Sequence, residues 1–248
     1  MQAVMHLEIR KNVQDRGLLF WMLILPIIFT VLFISVFTSG MDKEVQQQVT
    51  TSIVPGYIVM FVFFIMITMV NSFIKDRNHG MAARIASTPL SPMSYLIGKW
   101  VPYVFIVCVQ MIVLFIFGKI VYDIPLEQPI VIIVLTLFLA LAVTGIGLAL
   151  ALFSHTDNMG IAITQVIALG GAMLGGLWIP FDQLPQLLQS ISRFTPQYWA
   201  HQAFQEAMNG TLTVTVFSQT IGVLSIVGVI GFIAAFFQFP RFLRRAKS

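Results

Sequence analysis

Six stretches of this chain are apolar over the length a bilayer demands, and none of them contains an Asp, Glu, Lys, Arg or His. They are Leu18–Thr38, Ile53–Ile74, Trp100–Phe117, Ile130–Phe153, Gly160–Ile179 and Ile221–Phe239. A helix needs about 20 apolar residues to cross a hydrocarbon layer of roughly 30 Å. The expected fold is therefore an all-α integral membrane protein with six transmembrane helices, a single domain over residues 1–248. Composition agrees: 58% of the 248 residues are hydrophobic and 10% charged, against roughly 45–50% and about 25% in soluble domains. A soluble enzyme is excluded.

An even number of spans puts both termini on one side. With the termini in the cytoplasm, eleven of the 14 basic residues fall inside: Arg10, Lys11, Arg16, Lys75, Arg77, Arg84, Lys99, Arg241, Arg244, Arg245 and Lys247. Lys43, Lys119 and Arg193 fall outside. The positive-inside rule then sets the orientation, so the net charge of +4 records topology and not nucleic-acid binding. Glu8 and Asp15 precede the first span, which is longer than a signal-peptide core of roughly 7–15 residues. The expectation is an uncleaved anchor.

The apolar spans argue against a proton-driven transporter, which places ionisable relays in the membrane. The chain has no H-E-x-x-H and no G-x-S-x-G. His201 and Glu206 are five residues apart, not the four of a helical metal pair, and His201 reads as structural or interfacial. No catalytic or metal-binding set is expected. The lone Cys108 sits in an apolar run as a small hydrophobe. Gly98-Lys99 and Gly118-Lys119 lack both the upstream glycine and the following Ser/Thr of a Walker loop. No cofactor is expected on this chain, and any work it performs draws energy from another subunit.

Three segments outside the spans carry pattern. In residues 1–17, Val4, Met5, Ile9 and Val13 recur at helical spacing among charges, which suits an interfacial amphipathic helix touching membrane lipid. In the loop 75–99, residues 81–87 are good helix formers, and Thr88-Pro89 ends that turn because proline disfavours helical geometry before it. A short basic helix there is a lever for a soluble partner, or simply an orientation-setting loop. In 180–218, Leu184, Leu187, Leu188, Ile191 and Phe194 describe a helix that Pro196 breaks. A second helix, with Tyr198, Trp199, Phe204 and Met208 available for burial, ends at Asn209-Gly210. The pair reads as a re-entrant hairpin on the outer face between spans five and six. Gly171 and Gly175 stand in G-x-x-x-G register in the fifth span, fit for close internal packing, a subunit interface or a gate.

Together these features resemble the membrane subunit of type-two ABC exporters. The local match is most specific from Gly80 to Lys99, where Gly80, Arg84, Thr88-Pro89-Leu90-Ser91 and Gly98-Lys99 follow the family's pattern. A second match runs from Ile179-Pro180 through Leu184-Pro185 to Pro196, Tyr198 and Ala203. Asp76, His79 and Ala83 stand where the family often has glutamates. The resemblance implies two permease chains, as a homodimer or heterodimer, and two ATPase subunits that hold ATP and Mg. It implies a coupling helix over residues 77–87, with Asp76, Arg77, Gly80, Met81, Arg84, Ile85, Thr88, Pro89 and Leu90 as its contact set. It also implies a substrate pathway along the second and fifth spans, for which Phe61, Phe64, Asn71, Gln165, Met173 and Leu174 are candidates. An apolar lining suits an amphiphile: a drug, an antimicrobial or a lipid-like molecule leaving a prokaryotic plasma membrane. An ATPase-independent channel or receptor-like module is the alternative, with an intramembrane enzyme further behind for want of a polar catalytic group in any span.

Overall fold

Proline, glycine and aromatic packing decide where the long apolar helices stay regular in the computed structural model. The structure describes residues 1–178 and 181–247; the side chains of Lys43, Glu44, Gln48, Ala83, Ile85, Ala86, Asp182 and 245–247 lie outside that description, as does the Ile179-Pro180 of the sequence match. Among the described residues there are helices and no strand. Six helices are long and apolar enough to cross a membrane: Arg16–Phe37, Val45–Asn78, Pro92–Tyr122, Pro129–Phe153, Asp157–Leu174 and Val214–Arg244.

Before the first span lies α1 (Gln2–Gln14). The span itself is α2 (Arg16–Leu19), a π-helical stretch Phe20–Ile24, and α3 (Leu25–Phe37). Pro26 explains the π stretch: its ring would meet the carbonyl of Met22 in a regular helix, and the wider turn relieves that contact. The second span is α4 (Lys43–Val62) and α5 (Ile65–Asn78), joined at Phe63-Phe64 by a tighter ladder in which Phe63 N–H donates to Met60 O and Phe64 N–H to Phe61 O, both at 3.1 Å. Then follow α6 (Met81–Ala86), α7 (Pro92–Tyr122) and α8 (Pro129–Phe153). The fifth span is α9 (Asp157–Gln165), a π stretch Val166–Gly170 and α10 (Gly171–Leu174). The connection to the sixth span holds α11 (Gln186–Ser192) and α12 (Pro196–Met208), and α13 (Val214–Lys247) closes the chain.

The second span is the centre of the bundle, with 78% of its apolar stretch buried against 28–56% in the others. Val59, Val62, Phe63, Met66, Met69, Val70 and Phe73 are fully enclosed. The fourth and sixth spans approach most closely. A Cβ on Gly145 would stand 2.6 Å from Gly228 O, so the absence of side chains lets the two backbones touch. Phe242, near the carboxyl end, meets Phe73 with ring centroids 6.0 Å apart, and Lys11 of α1 reaches Asp76 at 3.2 Å. Both chain ends therefore gather at one end of the bundle, called basal below. The hairpin α11–α12 lies at the opposite, distal end.

Two expectations change. The third span begins at Pro92, not Trp100, so Lys99 is a helical, buried residue and not part of a loop. The short basal helix covers Met81–Ala86 instead of 77–87, because Gly80 at φ +70° separates it from α5, which carries Asp76 and Arg77. In α1 the polar side, Glu8 and Asn12, faces the bundle and Ile9 and Val13 are left exposed, the side an interfacial helix turns to lipid. The hairpin breaks at Pro196 as expected, with Phe204 and Met208 buried. Its first helix leaves Leu187 and Ile191 open, and Phe194 in the turn that follows is 86% exposed.

Candidate functional site

At the basal end, α1 crosses α7 at Gly98, where an added Cβ would stand 3.1 Å from both Met1 O and the Val4 side chain. That close crossing brings Glu8 over the next residue, Lys99. The Lys99 ammonium, 1% exposed, donates to Asp76 Oδ2 at 2.5 Å and to Ser72 Oγ at 3.0 Å, lies 3.7 Å from Glu8 Oε1 and sits 4.3 Å above the Phe73 ring. Ser72 and Tyr103 hydroxyls donate to Glu8 Oε1 at 2.6 and 2.8 Å, and Lys11 donates to Asp76 Oδ1 at 3.2 Å. Two carboxylates and two ammonium groups balance, as buried charge requires. The cluster ties α1, α5 and α7 into one unit. Sequence reading placed Asp76 in the coupling set, but missed Glu8 and Lys99 as partners. The available signal was the Gly-Lys dipeptide at the start of an apolar run with an acidic residue in the preceding amphipathic helix.

Residues of the coupling set divide between anchors and outward groups. The Arg77 guanidinium donates to the His155 carbonyl at 2.8 Å, which fastens the end of α5 to the connection between the fourth and fifth spans. Ala82 is buried and α6 packs on α5 and α13. Met81 is half-buried, and Leu90 packs against the core. Arg84, Thr88 and Pro89 are exposed, and the side chain of Ile85 lies outside the described residues. The loop thus has a seated side and an open, basic one.

Above this cluster a cavity of about 450 Å³ opens between the first, second and fifth spans. Three of the six pathway candidates line it, Phe64, Asn71 and Gln165, with Trp21, Ile67 and Lys75. Phe61 is buried behind Phe64, with ring centroids 5.9 Å apart. Met173, 43% exposed, and Leu174 do not line this cavity. Among the described residues the buried Oδ1 of Asn71, on its wall, has no hydrogen-bond partner. Among the described residues the three spans that wall the cavity are the three whose regular α-helical run is broken, by π stretches in the first and fifth and by the Phe63-Phe64 junction in the second. Such irregular turns concentrate at functional hinges.

At the distal end, α12 locks two of these spans together. Gln197 donates to Ile167 O, within the π stretch of the fifth span, at 3.0 Å, and Gly171 leaves the space its side chain fills. The G-x-x-x-G pair thus packs internally, since Gly175 also faces Gln197. Gln205 Nε2 donates to Ser52 Oγ of the second span at 2.9 Å. His201 is buried between the Ser52 and Gly175 carbonyls, and desolvation lowers its pKa from 6.5 to about 4, so the ring is neutral at pH 7. Among the described residues no cluster of His, Cys, Asp and Glu forms a metal-binding group.

Residues 39–237 match the family described as ABC-2 family transporter protein. Over 210 residues, 82% of this chain and 83% of the relative, the chain is 25% identical to the putative transport permease YvfS of Bacillus subtilis (strain 168). Over 198 residues, 80% of this chain, it is 26% identical to the linearmycin resistance permease protein LnrN of the same organism. That match covers 49% of LnrN, so the chain spans about half that relative's length.

Proposed function

Because this chain belongs to the ABC-2 family of transporter proteins, whose members lack an ATPase domain of their own, we propose that it is the permease chain of an ATP-driven exporter of amphiphilic molecules. In this reading two copies, or this chain and a relative, form the membrane part, and two ATPase subunits bind below it. The termini, α1 and α6 face the cytoplasm, as the distribution of basic residues favours, and the hairpin α11–α12 lies at the outer leaflet of a bacterial plasma membrane. ATP and Mg reside on the partner, where hydrolysis supplies the free energy. That LnrN is a linearmycin resistance permease supports an antimicrobial among the cargo.

The mechanism follows from what each residue touches. A partner ATPase seated on the open side of α6, with Arg84 toward it, pushes α6 against α5 and α13 when its dimer closes. Arg77 and Asp76 carry the displacement to the fourth–fifth connection and, through Lys99 and Glu8, to α7 and α1. Because the basal halves move as one unit, the bend is taken up at the irregular turns of the first, second and fifth spans. The cavity between them then changes shape. ATP energy biases the cycle only if cargo binds the two shapes unequally, and Phe64, Asn71 and Gln165 are the groups placed to feel that change.

The coincidence of the cavity with the three interrupted spans carries this reading. Co-expression with the partner ATPase in a drug-sensitive host tests it, scored as resistance to a panel of amphiphilic antibiotics. Raised resistance is expected from the wild-type pair, and its loss is expected in Phe64→Ala and Asn71→Leu variants that still assemble with the ATPase. Full resistance in both variants contradicts the pathway.

A further inference from the structure

Helix α12 meets the bundle in two different ways. Ala200, Ala203, Phe204 and Ala207 are fully buried and form an apolar face. The helix packs on α8 and α13, and Phe204 meets Phe115 of α7 with ring centroids 5.2 Å apart. Gln197, His201 and Gln205 recur every fourth residue and so share one polar stripe. Its hydrogen bonds go to backbone carbonyls and one hydroxyl at the distal ends of the second and fifth spans. Gln197 reaches Ile167 O, His201 lies between Ser52 O and Gly175 O, and Gln205 donates to Ser52 O at 3.3 Å and Oγ at 2.9 Å. A cavity of about 620 Å³, lined mainly by polar side chains, opens beside the Gln205–Ser52 bond. Water entering there can replace these bonds at little net cost. Below Ser52, Pro55 denies the Thr51 carbonyl its helical donor. Gly56 adjoins the Leu177 carbonyl, which would stand 2.8 Å from an added Cβ.

Resting on the pathway reading above, we propose that Gln197, His201 and Gln205 form a releasable latch that closes the pathway at its outer end, and that a proton on His201 holds the latch open. The apolar face keeps α12 seated while the stripe lets the second and fifth spans go. With the latch closed, desolvation of the ring outweighs the help of the two carbonyls and lowers its pKa from 6.5 to about 4. Among the described residues no ionised side chain compensates a proton there. α8 and α10 carry no titratable group, and α13 none before Arg241 at the basal end. α4 offers Tyr57, stacked on Phe33; α7 offers Tyr122, against Phe117, and Lys119, paired with Asp123. Glu206 of α12 itself accepts from Gln202. Once the latch parts, the ring is hydrated and regains its ordinary pKa. Opening therefore takes up a proton between pH 4 and 6.5, and an acidic exterior favours the open state.

The test uses the full-length Cys108→Ala chain in nanodiscs with Leu177→Cys, a buried position at the latch. Its labelling rate with a charged maleimide is divided by that of the exposed Asn209→Cys at the same pH, which reads the open fraction. From pH 7.5 to 5.5 this ratio is expected to rise about tenfold. It should stay flat in His201→Gln. In Gln205→Ala it should be higher at both pH values, with the tenfold step kept. An unchanged ratio without these latch substitutions, or the same rise in His201→Gln, overturns the proton linkage; no increase in Gln205→Ala overturns the latch. In the resistance assay above, Ser52→Cys with Gln205→Cys, bridged by a bis-methanethiosulfonate, should lose resistance and recover it on reduction. Resistance retained while bridged overturns the gating role. Absence of resistance from the wild-type pair overturns the exporter reading instead and leaves the labelling result in place.

Discussion

Replacing Lys99 with methionine removes the cation at the centre of the basal cluster but keeps an unbranched stem of similar length. Glu8 and Asp76 are then left buried, with Lys11, 41% exposed at its side chain, as their remaining cation. At an effective dielectric of about 20, unit charges at the 2.5 and 3.7 Å separations of Lys99 from Asp76 and Glu8 attract by roughly 7 and 4 kcal/mol. Desolvation of the ions cancels most of that gross attraction. Stranding the partner of a buried pair nevertheless costs about 3–5 kcal/mol, and the help from Lys11 places this case near about 3. At about 2–4 °C per kcal/mol for a chain of this size, the melting temperature should fall by roughly 6–12 °C. Thermal unfolding of detergent-purified Lys99→Met reads the shift directly. A second substitution, Asp76→Asn, removes one stranded carboxylate and should restore more than half of the loss, the non-additivity expected of one network. A single variant that melts with the wild type, or a double variant no better than the single, refutes the idea that these charges hold α1, α5 and α7 together.

Three other outcomes follow from the same structure. His201 has a folded-state pKa of about 4 against an ordinary 6.5, so the unfolded chain binds the extra proton between those values. Stability should therefore fall as pH drops from 6.5 to 4, by about 3 kcal/mol in all, and a His201→Gln chain should show a flatter melting profile over that window. Gly145→Val puts a side chain where Gly228 O lies 2.6 Å from the first added carbon; separation of the fourth and sixth spans should cost at least about 1–3 kcal/mol and broaden the size-exclusion peak. Gln197→Leu strips the Ile167 carbonyl of its donor and should loosen the fifth span near its π stretch, seen as faster amide exchange over residues 166–171 with little change in the fourth span.

The six spans and the two hairpin helices were legible because each rests on local chemistry: uninterrupted apolar length, or helical spacing closed by Pro196 and Asn209-Gly210. The short basal helix was legible for the same reason, as helix formers over 81–87 against the observed Met81–Ala86; the longer range 77–87 was implied only by the family resemblance, and Gly80 cuts it short. What lay beyond reach depended on contacts distant in sequence. Lys99 is one residue from the boundary drawn by hydropathy, and only the arrival of Glu8 and Asp76 makes its burial tolerable. The partners of the polar side of α1 lay beyond reach for the same cause, since Lys99 and Tyr103 meet Glu8 only once α7 crosses α1. Phe64, Asn71 and Gln165 converge on one cavity because they lie on adjoining faces of two spans. Met173 and Leu174 lie past the π stretch of the fifth span and do not reach it. Of the interruptions in the spans, only that beside Pro26 had a residue that announced it.

In the proposed mechanism α6 presents Arg84 to an ATPase whose work this chain converts into movement. Extraction of the tagged chain from native membranes in mild detergent, with identification of what co-purifies, tests it most directly. A Walker-containing ATPase is expected to accompany the wild type and to be lost with Arg84→Glu, while both chains remain folded by thermal unfolding. A folded wild-type chain that brings down no ATPase contradicts it and leaves an ATPase-independent channel or receptor in its place.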